Sequence, residues 1–175
     1  MNMNGKVLLV LGISSADENG IAIENTGGRR DVIIKDRGEK VEEIAIDKAF
    51  RYAETASKPV VVLQIINSDL YHYGHNDIIL TAAAKTRFLF YVRDQVLKRG
   101  KDRERMLEER AKKQGISLEV YSVESEDPAS SAIEEAKNGY DVIFLPKESK
   151  RLFPIFNKTV EQHLRKEIPG AVVVC

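Results

Sequence analysis

The segment from Asp141 to Cys175 places the strongest constraint on the fold, because it contains a complete strand–helix–strand unit. Its two apolar runs, Asp141–Leu145 and Ala171–Cys175, are typical of buried strands, and Thr159–Lys166 between them has a helical pattern that opens with the form of a capping box. Strands that are joined through a helix lie parallel in one sheet. The loop after the first run is basic and contains no glycine, and in such folds this loop is where a ligand binds.

The rest of the chain repeats this alternation. Further strands are predicted at Lys6–Leu11, Val60–Ile66 and Ile116–Val123, and further helices at Glu39–Ser57, at about Ile78–Gln114 with a possible bend at Gly100, and from Asp127-Pro128 onward. Five strands that alternate with helices predict an α/β fold, with a three-layer, doubly wound, five-stranded parallel sheet and right-handed crossovers. The 175 residues are expected to form a single domain.

One passage, at about residues 15–38, does not follow the alternation. Two β-prone runs, Ile21–Ile23 and Val32–Ile34, flank a turn that contains Gly27-Gly28. This pattern predicts a hairpin inserted after the first strand. A disordered loop is the alternative, because an isolated two-stranded ribbon is only marginally stable unless it packs on something.

The composition excludes several functional classes. Lys plus Arg equals Asp plus Glu, 27 each, so no bulk charge attracts the protein to nucleic acid or to a membrane surface. The apolar runs are far shorter than the roughly 20 residues of a membrane span. The one cysteine, Cys175, excludes an internal disulfide and is expected to be a packed thiol. We therefore expect a cytoplasmic protein without a nucleic-acid or membrane partner.

The order and spacing of these parts resemble the universal stress protein family over nearly the whole chain. Lys6–Ser14 is similar to the family's first strand and its end, Lys48–Ala56 to its first helix and Leu107–Ile116 to the end of its second helix. The most specific match is Glu126–Ile133, which is similar to Gly-Asp-Pro-Ala-x-x-Ile. The resemblance implies an adenine-nucleotide alpha-hydrolase-like fold, strand order 3-2-1-4-5 and a dimer formed through the fifth strand.

The resemblance also bears on nucleotide binding. The family's nucleotide-binding members carry Gly-x2-Gly-x9-Gly-Ser/Thr after the fourth strand, where Pro146, Ser149, Lys158 and Thr159 are the corresponding residues here. The family's aspartate at the end of the first strand corresponds to Gly12. Glycines let backbone N–H groups approach a phosphate closely, whereas proline has no N–H. We therefore expect no cofactor, and ATP binding that is weak or absent.

A candidate site nevertheless follows from the topology, because open α/β sheets bind ligands where the strand order reverses. With the family's order, that crevice lies between the first and fourth strands. The candidate anion or nucleotide ligands there are Gly12, Ser14, Ser15, Lys147, Ser149, Lys150, Arg151 and Thr159. A solvated basic loop with no ligand is the alternative.

A second candidate site lies in the loop after the second strand. His72, His75 and Asp77 have the residue types and short spacing of ligands for a divalent metal, but a fourth ligand is not evident. Surface polar residues are the alternative. The neighbouring Tyr71 and Tyr73 could instead cover the crevice.

No nucleophile elbow, Walker motif, Cys-x-x-Cys motif or readable acid pair is present, so we expect a protein that is not an enzyme. The fifth strand is apolar and lacks the charge or proline that protects exposed sheet edges. The predicted homodimer contact is Ala171, Val172, Val173, Val174 and Cys175. The sequence thus predicts a dimeric regulatory or interaction module with a possible protein partner. An ATP-binding module with slow hydrolysis and, third, an anion or metal sensor are the alternatives.

Overall fold

The computed structural model describes residues 5–13, 21–26, 29–34, 39–68, 81–147, 156–168 and 170–175. These residues form seven strands and four helices. In chain order they are β1 Lys6–Ile13, β2 Ile21–Thr26, β3 Arg29–Ile34, α1 Glu39–Ala56, β4 Val60–Asn67, α2 Ala82–Gln114, β5 Leu118–Ser125, α3 Pro128–Ala136, β6 Tyr140–Leu145, α4 Phe156–Glu167 and β7 Val172–Val174.

Five of the strands form one parallel sheet in the order β5-β4-β1-β6-β7. Numbered by their appearance among these five, the strands have the order 3-2-1-4-5, so the predicted topology is confirmed. Strands β2 and β3 form a separate antiparallel ribbon, with Ile21 paired to Ile34 and Thr26 to Arg29. The predicted hairpin after the first strand is therefore confirmed as well.

The core consists of two apolar layers, one on each face of the sheet. Because alternate residues of a strand point to opposite faces, β1 contributes to both layers. Val7, Leu9 and Leu11 pack against α1 and α2, whereas Leu8 and Val10 pack against α3 and α4. Each fully buried aliphatic side chain contributes about 1.5–3 kcal/mol, so β1, which is buried on both faces, is the centre of the stability.

The two long helices that cover the first layer agree with the predicted pattern and differ in detail. Ala45, Ala49 and Ala53 of α1 are buried, and so is Phe50. Helix α2 is continuous through Gly100, and Thr81 is its N-cap. At its other end, Gly115 is a left-handed C-cap with φ +67°. Because the extended Thr81 is the N-cap, α2 begins at Ala82, and the predicted start at about Ile78 is wrong. Residues 78–80 themselves lie outside the described residues.

Two further predicted boundaries are wrong. Helix α4 begins at Phe156, three residues before Thr159, so Thr159 lies inside the helix and is not its cap. Pro154 is the better start signal, because proline is accepted just ahead of a helix or in its first turn. Strand β5 begins at Leu118 and continues to Ser125, which shifts the predicted strand by two residues toward the C-terminus.

Within the described parts of the chain, no helix is both long and apolar enough to cross a membrane. The Cys175 thiol is free and buried, as predicted.

Candidate functional site

The strand order reverses between β1 and β6, and the two strands separate at their carboxyl ends. The pairing of β1 with β6 ends at Leu9 and Phe144, whereas its pairing with β4 continues to Ile13 and Ile66. The last four residues of β1 therefore pair with β4 only. This is the edge of the sheet at which open α/β folds bind ligands, and we name it the crevice.

Gly12 borders this crevice from the side of β1. It follows Leu8 and Val10 on the face that α3 and α4 cover. A Cβ atom added to Gly12 would meet no heavy atom of the described residues within 4 Å. The assignment of Gly12 to a ligand site stays a prediction.

The carbonyl of Gly12 is held by an arginine from α2. Arg103 donates from Nη1 to Gly12 O over 3.3 Å and from Nη2 to Oε2 of Glu42 on α1. The side chains of Arg103 and Glu42 are 14% and 13% exposed. This partly buried ion pair joins α2, α1 and the end of β1 at the crevice, and it fixes the direction in which β1 ends.

On the other side of the crevice, the chain after β6 is hydrogen-bonded to Cys175, which follows β7. Cys175 N donates to Leu145 O over 2.8 Å, and Lys147 N donates to Cys175 O. Pro146 has no N–H. Neither of the first two residues after β6 therefore offers a free backbone N–H to a phosphate. The side chain of Lys147 is exposed and can supply charge alone.

Two members of the predicted anion site follow the sheet's strands: Gly12 lies near the carboxyl end of β1, and Lys147 comes two residues after β6. Their role in a ligand site stays a prediction. Thr159 was predicted at the N-terminus of the last helix. That prediction is wrong, because α4 begins at Phe156 and Thr159 lies at the start of its second turn. The remaining members, Ser14, Ser15, Ser149, Lys150 and Arg151, lie outside the described residues.

The candidate metal ligands His72, His75 and Asp77 also lie outside the described residues. Among the residues that the structure does describe, no three His, Cys, Asp or Glu side chains are grouped as a metal site would require.

The N-terminus of α3 already has an anion of its own. Asp127 accepts the N–H of Ser130 over 3.1 Å and its hydroxyl over 2.6 Å. These hydrogen bonds, the hydroxyl first, lower the pKa of Asp127. The carboxylate occupies this helix end and accepts the N–H of Ser130, so it competes there with a phosphate.

Cys175 has the environment of a packed thiol. It is 7% exposed and packs with Phe144 in the core layer of α1. Burial raises the pKa of its thiol. A protonated, buried thiol is a poor nucleophile, so this cysteine supports no covalent chemistry.

Sequence reasoning missed the Arg103–Glu42 pair. Both residues lie in helical segments rich in charges of both signs, and the sequence gives no signal that these two turn inward. It also passed over Gln64, which is completely buried on β4. Gln64 was visible in the sequence as the one polar residue between Val60 and Ile66.

Comparison with known proteins gives a fold match and no sequence match. No protein-family model and no curated protein matches this sequence. Among solved structures, it resembles a universal stress protein family member from Burkholderia pseudomallei, with a TM-score of 0.55 and 14% identity, covering 100% of this chain and 98% of the other. It also resembles the universal stress protein UspA from Lactobacillus plantarum, with a TM-score of 0.52 and 12% identity, covering 97% of both chains.

The matched structures extend over all or nearly all of this chain, and the sheet order, the helices on both faces and the chain length agree. The chain therefore has the fold of the universal stress proteins.

Proposed function

We propose that this chain is a cytoplasmic protein of the universal stress type, which acts as a dimeric, non-enzymatic regulatory or interaction module and binds nucleotides weakly or not at all. The fold shared with two universal stress proteins supports the assignment to this type.

The observation that carries the proposal is the uncovered edge of β7. Within the described residues, β7 pairs on one side only, with β6. Neighbouring Ala171 and Cys175 extend that pairing through Ala171 O and Cys175 N. The segment 171–175 has no charge and no proline, and Val173 is 38% exposed. Such an edge is a template for pairing with another strand, and a second copy of the chain would cover it.

The weak nucleotide binding is supported by the backbone after β6. A phosphate cradle needs several free N–H groups that converge on one point. Pro146 lacks an N–H, and the N–H of Lys147 is used by Cys175. The charge of the Lys147 side chain remains, but charge without a cradle gives little selectivity for a nucleotide.

The dimer is tested by measuring the molar mass of the wild type and of Val173→Lys with light scattering during gel filtration. The wild type is expected to have twice the mass of one chain. The lysine puts a charge on the edge strand, so this variant is expected to be a monomer. Ser122→Lys is the matched control, because it adds the same charge to β5 at the opposite edge of the sheet. A monomeric wild type at high concentration, or a dimeric Val173→Lys, would overturn the dimer.

An adenine-nucleotide-binding module with possible slow hydrolysis is the second candidate. Two features favour it: no described residue fills the space beside Gly12, and the pairing of β1 with β6 ends at Leu9. A nucleoside could lie there, with the exposed Lys147 following the neighbouring strand β6. The two candidates therefore differ in whether a nucleotide binds in the space beside Gly12.

A thermal-shift scan with millimolar ATP, ADP and AMP separates the two candidates. A ligand at about 100 times its Kd stabilises the native state by roughly 2.7 kcal/mol, which raises the melting temperature visibly. We expect no shift. Gly12→Val fills the open space and is the control: a shift in the wild type that is lost in Gly12→Val would establish the second candidate. Metal analysis of the purified protein tests the weaker sensor alternative.

A further inference from the structure

The first half of α2 packs near the carboxyl end of β4. Val96 and the partly buried Phe88 pack with Ile66 near the end of β4, and Arg103 reaches Gly12 near the end of β1. Residues 82–87 come before these contacts, at the start of this half of the helix. Arg93 holds it to the sheet through Glu124 at the end of β5, over 3.5 Å.

The first twenty residues of α2 are strongly basic in a chain that is neutral overall. Residues 82–101 contain six basic residues and one acidic residue, Asp94. The local net charge is therefore +5, whereas the Lys and Arg of the whole chain are balanced by its Asp and Glu. A charge concentrated on one helix creates a local positive potential that attracts an acidic partner.

Part of this charge lies on one exposed face together with two aromatic rings. Arg87, Tyr91, Asp94, Lys98 and Lys101 follow one another at spacings of four, three, four and three, which places them on one side of the helix. Phe90 lies beside them. All six side chains are exposed, with Phe90 at 61% and Tyr91 at 41%. We name these six residues the outer stripe of α2.

The composition of the outer stripe fits a protein partner better than a membrane or a nucleic acid. Binding hot spots are enriched in aromatic residues and arginine, and charged residues form their rim. A helix that lies on a membrane separates its apolar face from its charged face, whereas here the rings and the charges share one face. Single-stranded nucleic acid is bound in a basic groove, whereas the outer stripe lies on the convex surface of one helix. Asp94 in its centre also opposes a uniform polyanion.

We propose that the outer stripe of α2 is a docking site for an acidic segment of a partner protein. The carboxylates of this segment pair with Arg87, Lys98 and Lys101, and its apolar side chains cover Phe90 and Tyr91. The inference rests on the proposed function as an interaction module, and it supplies the surface and the class of partner.

The test is a selection of peptides from a random displayed library on the immobilised full-length protein. We expect enrichment of peptides rich in Asp and Glu with apolar residues between them. The counter-selection uses the triple variant Arg87→Glu, Lys98→Glu and Lys101→Glu, on which this enrichment is expected to disappear. Arg51→Glu, Lys137→Glu and Lys166→Glu together are the matched control, because they change the net charge equally at exposed positions away from the stripe.

One selected peptide, synthesised with a fluorescent label, is then titrated against each protein. The triple variant is expected to weaken binding about tenfold or more, and so is the double variant Phe90→Ala with Tyr91→Ala. The matched control is expected to bind within about twofold of the wild type. Higher salt is expected to weaken binding to the wild type, because these charges are exposed.

Three outcomes would overturn the proposal: the same peptides enriched on the wild type and on the triple variant, no acidic bias among them, or tighter binding of anionic vesicles or single-stranded DNA through the same stripe. Val173→Lys leaves the outer stripe intact. Peptide binding by this variant therefore separates a failure of the docking site from a failure of the proposed dimer.

Discussion

At the residue scale, Arg103 explains how the end of β1 is held without a ligand. Its guanidinium donates to Gly12 O and to Glu42, so one side chain from α2 fixes both a strand end and a second helix. Glu42 and Arg103 are mostly shielded from water. Removing one member of a pair this shielded costs more than removing one member of an exposed pair.

Glu42→Gln is therefore expected to lower the free energy of unfolding by about 3 kcal/mol, measured by urea denaturation. Asp47→Asn is the matched control, because Asp47 pairs with Arg110 across the same two helices over 2.6 Å with side chains 48% and 29% exposed. Its expected cost is below about 1 kcal/mol. Equal losses in the two variants would contradict a special role of the pair at the crevice.

Gln64 is the second residue whose replacement is expected to change the free energy of unfolding. Among the described side chains, its Oε1 is buried without a hydrogen-bond partner, and its Nε2 donates to Gly100 O at the long distance of 3.5 Å. A buried polar atom without a partner costs about 1–3 kcal/mol. Gln64→Leu has a similar size and removes this cost, so we expect the free energy of unfolding to rise by about 1 kcal/mol in urea denaturation.

Gln64→Glu serves as the comparison, because it keeps the shape and places a carboxyl group in the same buried position. Burial disfavours the charged form, so this variant is expected to be less stable than the wild type. A destabilised Gln64→Leu would mean that Oε1 is bonded to an internal water.

At the element scale, the best predicted elements are those with a strong apolar pattern. The continuous runs in β1 and β4 left no alternative to buried strands, and Asp127-Pro128 fixed the start of α3. The starts of α4 and β5 were wrong, because Thr159 and Ile116 offered plausible local signals that tertiary packing overrode. The strand order was predictable, and with it the places of Gly12 and Lys147 toward the carboxyl ends of β1 and β6; their role in a ligand site stays a prediction. The inward orientation of the Arg103 side chain was not predictable, because exposed charged residues lie on either side of it in α2.

Asp127 makes the stability of α3 dependent on pH. Hydrogen bonds from Ser130 lower the pKa of its carboxyl in the native state. The contribution of Asp127 to the stability is therefore complete above about pH 3.9, the pKa of its carboxyl in the unfolded chain. This contribution is lost as the pH falls through the lower pKa that the carboxyl has in the native state. Asp127→Asn keeps an N-cap oxygen but does not titrate. The stability difference between the wild type and Asp127→Asn is expected to be constant near about pH 7 and to shrink near about pH 3, as measured by urea midpoints.

A stability difference between the wild type and Asp127→Asn that does not change with pH would assign the cap to hydrogen-bond geometry alone. Asp127→Ala removes the cap at every pH and gives the reference, with an expected loss of about 1 kcal/mol.

At the scale of the whole molecule, the two edge strands of the sheet, β5 and β7, differ in the charge that they carry. Strand β5 carries exposed Glu119 and Glu124, which protect that edge from another strand. The opposite edge, at β7, has no such protection, although it also holds the chain after β6 through Cys175. A dimer formed at β7 would therefore stabilise the strand and the border of the crevice together.

This coupling predicts that folding depends on protein concentration. If two copies pair through β7, mass action raises the melting temperature of the wild type as the protein concentration rises, because the dimer is lost on unfolding. Val173→Lys is expected to melt at a lower temperature that does not change with concentration, and Ser122→Lys is expected to behave as the wild type does. Scanning calorimetry over a range of about a hundredfold in concentration measures all three proteins. A wild-type melting temperature that is independent of concentration would mean that the exposed β7 edge remains unpaired, and that its apolar residues serve the packing of one chain alone.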